Sequence, residues 1–263
     1  MTLYDTIGKD YNQTRQPDGR IVDELIGLLS LSKGSTIADV GAGTGNYSLA
    51  IAQKGYRVIA IEPSTVMQSQ AQDHPNLSWI KAEAENIPLS DSTVDGVVVM
   101  LALHHFSNLE QGIREINRIC SGNMVIFAFE QDKIPDFWLA NYFPYFIRDT
   151  KATFPSTQNI VRLIERVTNK QTQTIPFLLP ADLRDLFAAS GWCRPEIYLD
   201  DRVRHGISSF AKMPERELEE GLRKLSLDLR NGRWQEQYGY LLQQENYDAG
   251  YRIIFTKQVG DRN

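Results

Sequence analysis

Three glycines at alternate positions, Gly41, Gly43 and Gly45, follow directly on an apolar run that contains one acid, Ile37-Ala38-Asp39-Val40. Glycine reaches positive φ at low cost and lets a backbone approach another molecule closely. The stretch reads as a strand entering a tight turn and then a helix, with no side chains in the way of a ligand. Its spacing is G-x-G-x-G, whereas the dinucleotide fingerprint is G-x-G-x-x-G, which weighs against a nicotinamide site. Two carboxylate signals follow. Glu62 comes 17 residues beyond Gly45, and Ala82-Glu83-Ala84-Glu85 comes after the next apolar run. A carboxylate at Glu62 can accept hydrogen bonds from both hydroxyls of a ribose. One at Glu83 can accept from an adenine amino group while a neighbouring backbone N–H reaches a ring nitrogen. Glu85 rivals Glu83 for that place or is a surface charge. A glycine turn, a ribose reader and a base reader together describe an adenosine site.

These groups need a scaffold that brings them to one edge. Asp18 can cap a helix with Ile21, Leu25, Leu28 and Leu29 on one face. Strands are predicted at Thr36–Val40, Arg57–Ile61, Leu77–Lys81, Val94–Leu101 and Met124–Phe129. Helices are predicted at Tyr47–Lys54, closed by Gly55, at Thr65–Gln72, and from Leu109 to Cys120 with Gly122 as its stop. The alternation of strand and helix implies a parallel, doubly wound α/β sheet, and open sheets of this kind bind ligands at the carboxyl ends of their strands. Further on, a helix is predicted at Ala181–Ser190 with Gly191 as its stop, and a sixth strand at Trp192–Leu199. A helix from Pro214 follows, carrying Leu218, Leu222, Leu225 and Leu229, then one around Trp234–Gln244 and a last strand at Tyr251–Thr256. The tail after Lys257 is expected to be mobile.

The bulk numbers narrow the classes. The chain has 263 residues, 42% of them hydrophobic, and a net charge of −5. It can bury a substantial core and has no general attraction for nucleic acid or an anionic membrane surface. Its two cysteines, Cys120 and Cys193, are far apart and read as ordinary thiols of a reducing compartment. The first residues lack the basic and apolar regions of a signal peptide, and no apolar run is long enough for a membrane span. A cytoplasmic protein is expected.

The motifs themselves resemble a known family. Asp39-Val-Gly-Ala-Gly-Thr-Gly45, Glu62-Pro-Ser, Ala82-Glu-Ala-Glu-Asn-Ile-Pro-Leu89 with Asp91 and Asp95, and Met100-Leu-Ala-Leu-His-His-Phe106 are similar to class I S-adenosylmethionine-dependent methyltransferases. The likeness is to the ubiquinone-biosynthesis-like, small-molecule branch (methyltransferase type 11). It implies a Rossmann-like seven-stranded sheet of order 3-2-1-4-5-7-6 with strand 7 antiparallel. It implies S-adenosyl-L-methionine as cofactor, with Asp39, Gly41, Ala42, Gly43 and Gly45 at its methionine part, Glu62 and Pro63 at the ribose, and Glu83 and Ala84 at the adenine. Backbone near Leu101 would face the cofactor's amino group. The base-reading position is commonly Asp in this branch and is Glu83 here. An aromatic N-terminal segment closes over the cofactor in many relatives, which makes Tyr11 and Arg15 candidates for its carboxylate.

The expected layout is one domain over 1–263, with an N-terminal helical cover at 1–34 and a cofactor-binding core at 35–130. Insertions at 131–175 and 201–249 would cap the carboxyl edge. The aromatic residues at 137–146 can line a pocket as well as anchor the insertion. Arg202 and Arg204 can hold an anionic substrate or simply lie at the surface. His104 and His105 invite a catalytic reading, since imidazole titrates near neutrality. Equally, one can pack inside while the other faces solvent. His74 and His205 are isolated, and no metal is expected. The reaction implied is methyl transfer to an O, N, S or C atom of a small molecule. A nicotinamide oxidoreductase and a noncatalytic S-adenosylmethionine-binding protein are the alternatives.

Overall fold

In the computed structural model, which describes residues 11–257, one seven-stranded sheet organises the chain. Its strands are β1 (Thr36–Val40), β2 (Arg57–Ile61), β3 (Leu77–Ile80), β4 (Val94–Met100), β5 (Cys120–Phe129), β6 (Gln171–Pro176) and β7 (Tyr251–Lys257). Their order is β3-β2-β1-β4-β5-β7-β6. β7 runs antiparallel to both neighbours, and the β1, β2, β3, β4 and β5 pairings are parallel. The order reverses between β1 and β4, which opens a crevice at their carboxyl ends.

Alternate residues of the central strands face opposite layers, as strand geometry requires. On one side, Ile37, Val98 and Phe127 pack with helix α1 (Gly19–Leu29) and helix α2 (Asn46–Gln53). On the other, Val97, Val99 and Ile126 pack with helix α3 (Leu109–Ile119) and helix α5 (Thr157–Thr168). Helix α4 (Tyr145–Thr153) and helix α6 (Glu215–Arg230) belong to an aromatic layer above the carboxyl edge. α1 begins where expected: the Asp18 carboxylate accepts from the Arg20 N–H.

Four expectations are corrected. Residues 181–190 form no helix. Leu183, Asp185, Phe187 and Ala189 are buried in alternation, the period of extended chain. Their backbone donors go elsewhere, with Leu186 N–H donating to the Thr14 carbonyl and Arg184 N–H to Asp18. Residues 192–199 are not a strand, because Pro195 opens a short 3-10 turn over Pro195–Leu199. The sixth strand is instead Gln171–Pro176, at the end of the stretch read as an insertion. It is a polar edge strand with little apolar signal. Gly122 is no helix stop, since the chain passes from Ile119 directly into β5. A Cβ at Gly122 would stand 2.2 Å from the Asp95 carbonyl of β4. Finally, the helix after β2 spans only Thr65–Gln68. The tail after Lys257, apart from that residue, lies outside the described residues.

Candidate active site

A cavity of about 400 Å³ opens at the carboxyl ends of the parallel strands. Each strand delivers a different chemical group to it. β1 and the turn after it supply Asp39, Gly41, Ala42 and Gly43. Gly41 has φ 76°, and a Cβ there would lie 2.5 Å from that of Ala102, so the turn tolerates no side chain. Gly45 does not line the cavity and is the N-cap of α2, with φ 75°. A Cβ there would meet the Trp79 ring at 2.4 Å.

The turn after β2 brings Glu62 and Pro63. The two Glu62 oxygens accept from the Gly43 and Ser64 N–H groups, each at 2.9 Å. The carboxylate therefore bridges two turns while retaining lone pairs for a ligand. Burial raises its pKa, against those two bonds, and the charge of Glu83 adds to the rise.

The loop after β3 brings Glu83 and Ala84. It is clamped to α3: Arg118 donates to the Ile87 and Leu89 carbonyls, and Glu115 accepts from the Ile87 N–H. The two acids of this loop part company. Glu85 also borders the cavity, but its carboxylate accepts from Ser107 Oγ and the Asn108 N–H at the entry to α3. The Glu83 carboxylate has no hydrogen-bond partner among the described residues.

After β4, Leu101 takes φ 51° at the cavity wall. A branched side chain in that region costs about 1–2 kcal/mol. Its N–H donates to the Phe127 carbonyl, which holds the bend. His104 and His105 follow, their rings 3.8 Å apart, with His104 stacked 4.1 Å from Phe154. Burial lowers the pKa of both, and the charge of Lys212 adds to the effect. His105 falls to about 4, so both imidazoles are neutral at pH 7.

Asp39 is fully buried. Ser48 Oγ donates to its Oδ2 at 2.5 Å, while its Oδ1 has no partner among the described residues. Burial raises its pKa to about 6, against the pull of the Ser48 bond, with the Glu62 charge adding to the rise. A buried carboxylate oxygen without a donor is costly, and here it borders the cavity, so a ligand's donor fits it.

Arg15 lines the cavity from the N-terminal side. Its guanidinium pairs with buried Asp185 at 2.6 Å, and Asp185 also accepts from Tyr47 Oη. Asn46 at the start of α2 donates to the Arg15 carbonyl and so fixes this segment. The side chain of Tyr11 lies outside the described residues. Arg202 and Arg204 do not line the cavity. The first pairs with Asp200, and the second donates to the Tyr198 carbonyl.

Part of the cavity wall is aromatic, with Phe129, Phe137, Phe146, Phe154, Phe187 and Tyr251 lining it. Trp138, Tyr142 and Phe143, from the same 137–146 stretch, do not line it, although they share a core cluster with Phe137 and Phe146. Sequence reasoning missed Asp185, Tyr47 and Lys212, which reach the site only through tertiary folding. None sits in a motif that would mark it.

Residues 38–127 match the family model described as a methyltransferase domain. A crystal structure from Anabaena variabilis ATCC 29413, described as a candidate methyltransferase of an antibiotic biosynthesis pathway, is 47% identical. It covers 94% of this chain and all of its own, with a TM-score of 0.90. The ubiquinone/menaquinone biosynthesis C-methyltransferase of Rubrivivax gelatinosus is 28% identical over 117 residues, 43% of this chain and 45% of its own length. The malonyl-[acyl-carrier protein] O-methyltransferase of Pectobacterium atrosepticum is 32% identical over 108 residues, 40% of this chain and 43% of its own. The chain thus spans about half the length of these two curated relatives.

Proposed function

Because the chain belongs to the class I S-adenosylmethionine-dependent methyltransferases, we propose that it transfers a methyl group from that cofactor to an atom of a small molecule. When bound, S-adenosylmethionine supplies a methyl carbon made electrophilic by its sulfonium. The chain's own residues hold it and orient the acceptor. Glu62 accepts from the ribose hydroxyls, with Pro63 beside it. Glu83 accepts from the adenine amino group, and the Ala84 backbone meets the ring. The Gly41–Gly45 turn leaves room for the methionine part. Asp39 Oδ1 takes the ammonium group beside the Leu101 backbone, and Arg15 stands towards the carboxylate, with Tyr11 assigned to the same end.

One observation carries this reading. A single cavity gathers Asp39 with its orphaned oxygen, the glycine turn, Glu62 and Glu83 from the ends of three successive strands. The fit supports an adenosine with a cationic tail. The acceptor enters the aromatic part, where positioning and exclusion of water lower the barrier. His104 and His105 are walls or weak bases there, since neutral imidazoles of such low pKa bind protons poorly. The chain's charge of −5 and the apolar walls favour a small molecule over nucleic acid, and the cytoplasm remains the proposed location. The antibiotic biosynthesis pathway of the Anabaena protein is consistent with a biosynthetic acceptor. In this reading residues 1–263 form one methyltransferase domain, with the 131–175 and 201–249 segments capping the site.

Calorimetry tests the cofactor assignment. S-adenosylmethionine and S-adenosylhomocysteine should each bind with one-to-one stoichiometry. Absence of heat with both would reject it.

A further inference from the structure

Among the described residues lining the cavity, Arg15 and Lys212 are the only lysine or arginine side chains. Arg15 is held by Asp185 and by the Gly206 carbonyl. Lys212 ends the short helix Ser208–Lys212 and lines the cavity. Its ammonium donates to Asp149 Oδ1 at 2.5 Å, and Asp149 in turn accepts from Ser209 Oγ at 2.7 Å and Thr153 Oγ1 at 3.4 Å. Two hydroxyls thus hold Asp149, which fixes the lysine. An ammonium carries three hydrogens, and Asp149 takes one.

The groups around it are informative. His104 and His105 feel the Lys212 charge, and His104 also feels Arg15. Neither imidazole is protonated at neutral pH, so neither adds a cation beside Lys212. Flat rings bound it: His104 stacks on Phe154, which meets Phe129 edge-on, which in turn meets Tyr251. A slot with aromatic walls, neutral imidazoles and one fixed ammonium suits a planar ligand with a single negative oxygen.

We infer that Lys212 anchors the methyl acceptor as a phenolate-type oxyanion, making this an O-methyltransferase for a planar hydroxylated ring. The inference rests on the methyl-transfer reading above. The hydroxyl proton leaves to solvent on binding. The oxygen's lone pair then forms the O–CH₃ bond as the methyl–sulfur bond breaks, and that bond's electron pair stays on sulfur as a neutral thioether. Lys212 supplies charge stabilisation that a basic histidine would otherwise have to replace.

The probe is 4-nitrophenol, titrated into protein saturated with S-adenosylhomocysteine while the phenolate absorbance is followed across pH. The bound probe should ionise about one pH unit below the free probe, a tenfold shift. Lys212→Met should abolish the shift and weaken phenolate binding about tenfold, whereas Lys212→Arg should keep most of both. The neutral analogue 4-nitroanisole should bind wild type and Lys212→Met alike. Calorimetry with S-adenosylhomocysteine reports folding of each variant. If Lys212→Met fails that check, the double variant Asp149→Asn/Lys212→Met, which leaves no unpaired buried charge, replaces it. The inference is overturned if the probe does not bind, if it ionises as it does in free solution, or if the methionine variant matches wild type. Failure of wild type to bind S-adenosylhomocysteine would overturn the cofactor reading instead.

Discussion

Glu62 has two tasks at once. It ties the Gly43 and Ser64 N–H groups together and faces the cavity. Glu62→Ala should weaken S-adenosylhomocysteine binding by about 1.5–3 kcal/mol, the scale of lost bonds to a charged group. Calorimetry reads this directly, and an unchanged affinity would remove Glu62 from the site. Asp39 yields a pH dependence. Its folded pKa of about 6 lies above the ordinary value of 3.8. The folded protein therefore keeps this proton longer than the unfolded chain. The contribution to stability is present below the ordinary value and is lost as pH rises through about 6. A cofactor ammonium must displace the same proton. Affinity for S-adenosylhomocysteine should rise between about pH 5 and pH 7, with proton release on binding at the acid end. Asp39→Asn should flatten that profile. Calorimetry in buffers of different ionisation heat measures the proton count, and a zero count at about pH 5 would refute the role. The rivalry of Glu83 and Glu85 shows what residue types alone leave open. Both acids follow β3 at alternate positions, and only the placement of Ser107 and Asn108 assigns Glu85 to the entry of α3.

Elements position these residues through close contacts between neighbours in space. Gly45 begins α2 and sits on the Trp79 ring of β3. Gly45→Ala would combine a left-handed φ with a 2.4 Å clash. We expect a loss of at least about 2 kcal/mol, seen as a lower urea midpoint at unchanged m-value. The added variant Trp79→Leu should recover part of it by making room. The β1, β2, β4 and β5 stretches were readable because buried parallel strands are continuous apolar runs, and edge strand β3 because Leu77, Trp79 and Ile80 cluster there. The 181–199 region was not. Its alanine and leucine content suits a helix, yet its donors are used by Thr14 and Asp18 from the N-terminal segment. The polar β6 carries no apolar run because it is an edge strand, satisfied by β7 alone.

At the scale of the molecule, the upper layer and one face of the sheet share a core. Trp138, Trp192 and Trp234 belong to the same buried cluster as Ile21, Val98 and Phe127. Trp138 also donates from Nε1 to the Trp192 carbonyl and meets Trp234 edge-on at 5.4 Å. A continuous core predicts cooperative unfolding. Trp138→Ala should cost about 3–5 kcal/mol, and tryptophan fluorescence and far-UV circular dichroism should shift together. Three of the four tryptophans lie in the upper layer and only Trp79 in a strand, so two separate transitions would be visible. They would show that the layers fold apart. No helix among the described residues is long and apolar enough to cross a membrane.

The order of the motifs along the chain already carried the fold and the cofactor class, because glycine turns and apolar strands act locally. Each such signal depends on a few adjacent residues and on the rule that places strand ends at one edge. The acceptor side had no such local code. Arg15 meets Asp185 across 170 positions, and Lys212 meets Asp149 across 63. Only the folded chain brings these charges to one cavity, since their pairing depends on burial and distance rather than spacing in sequence.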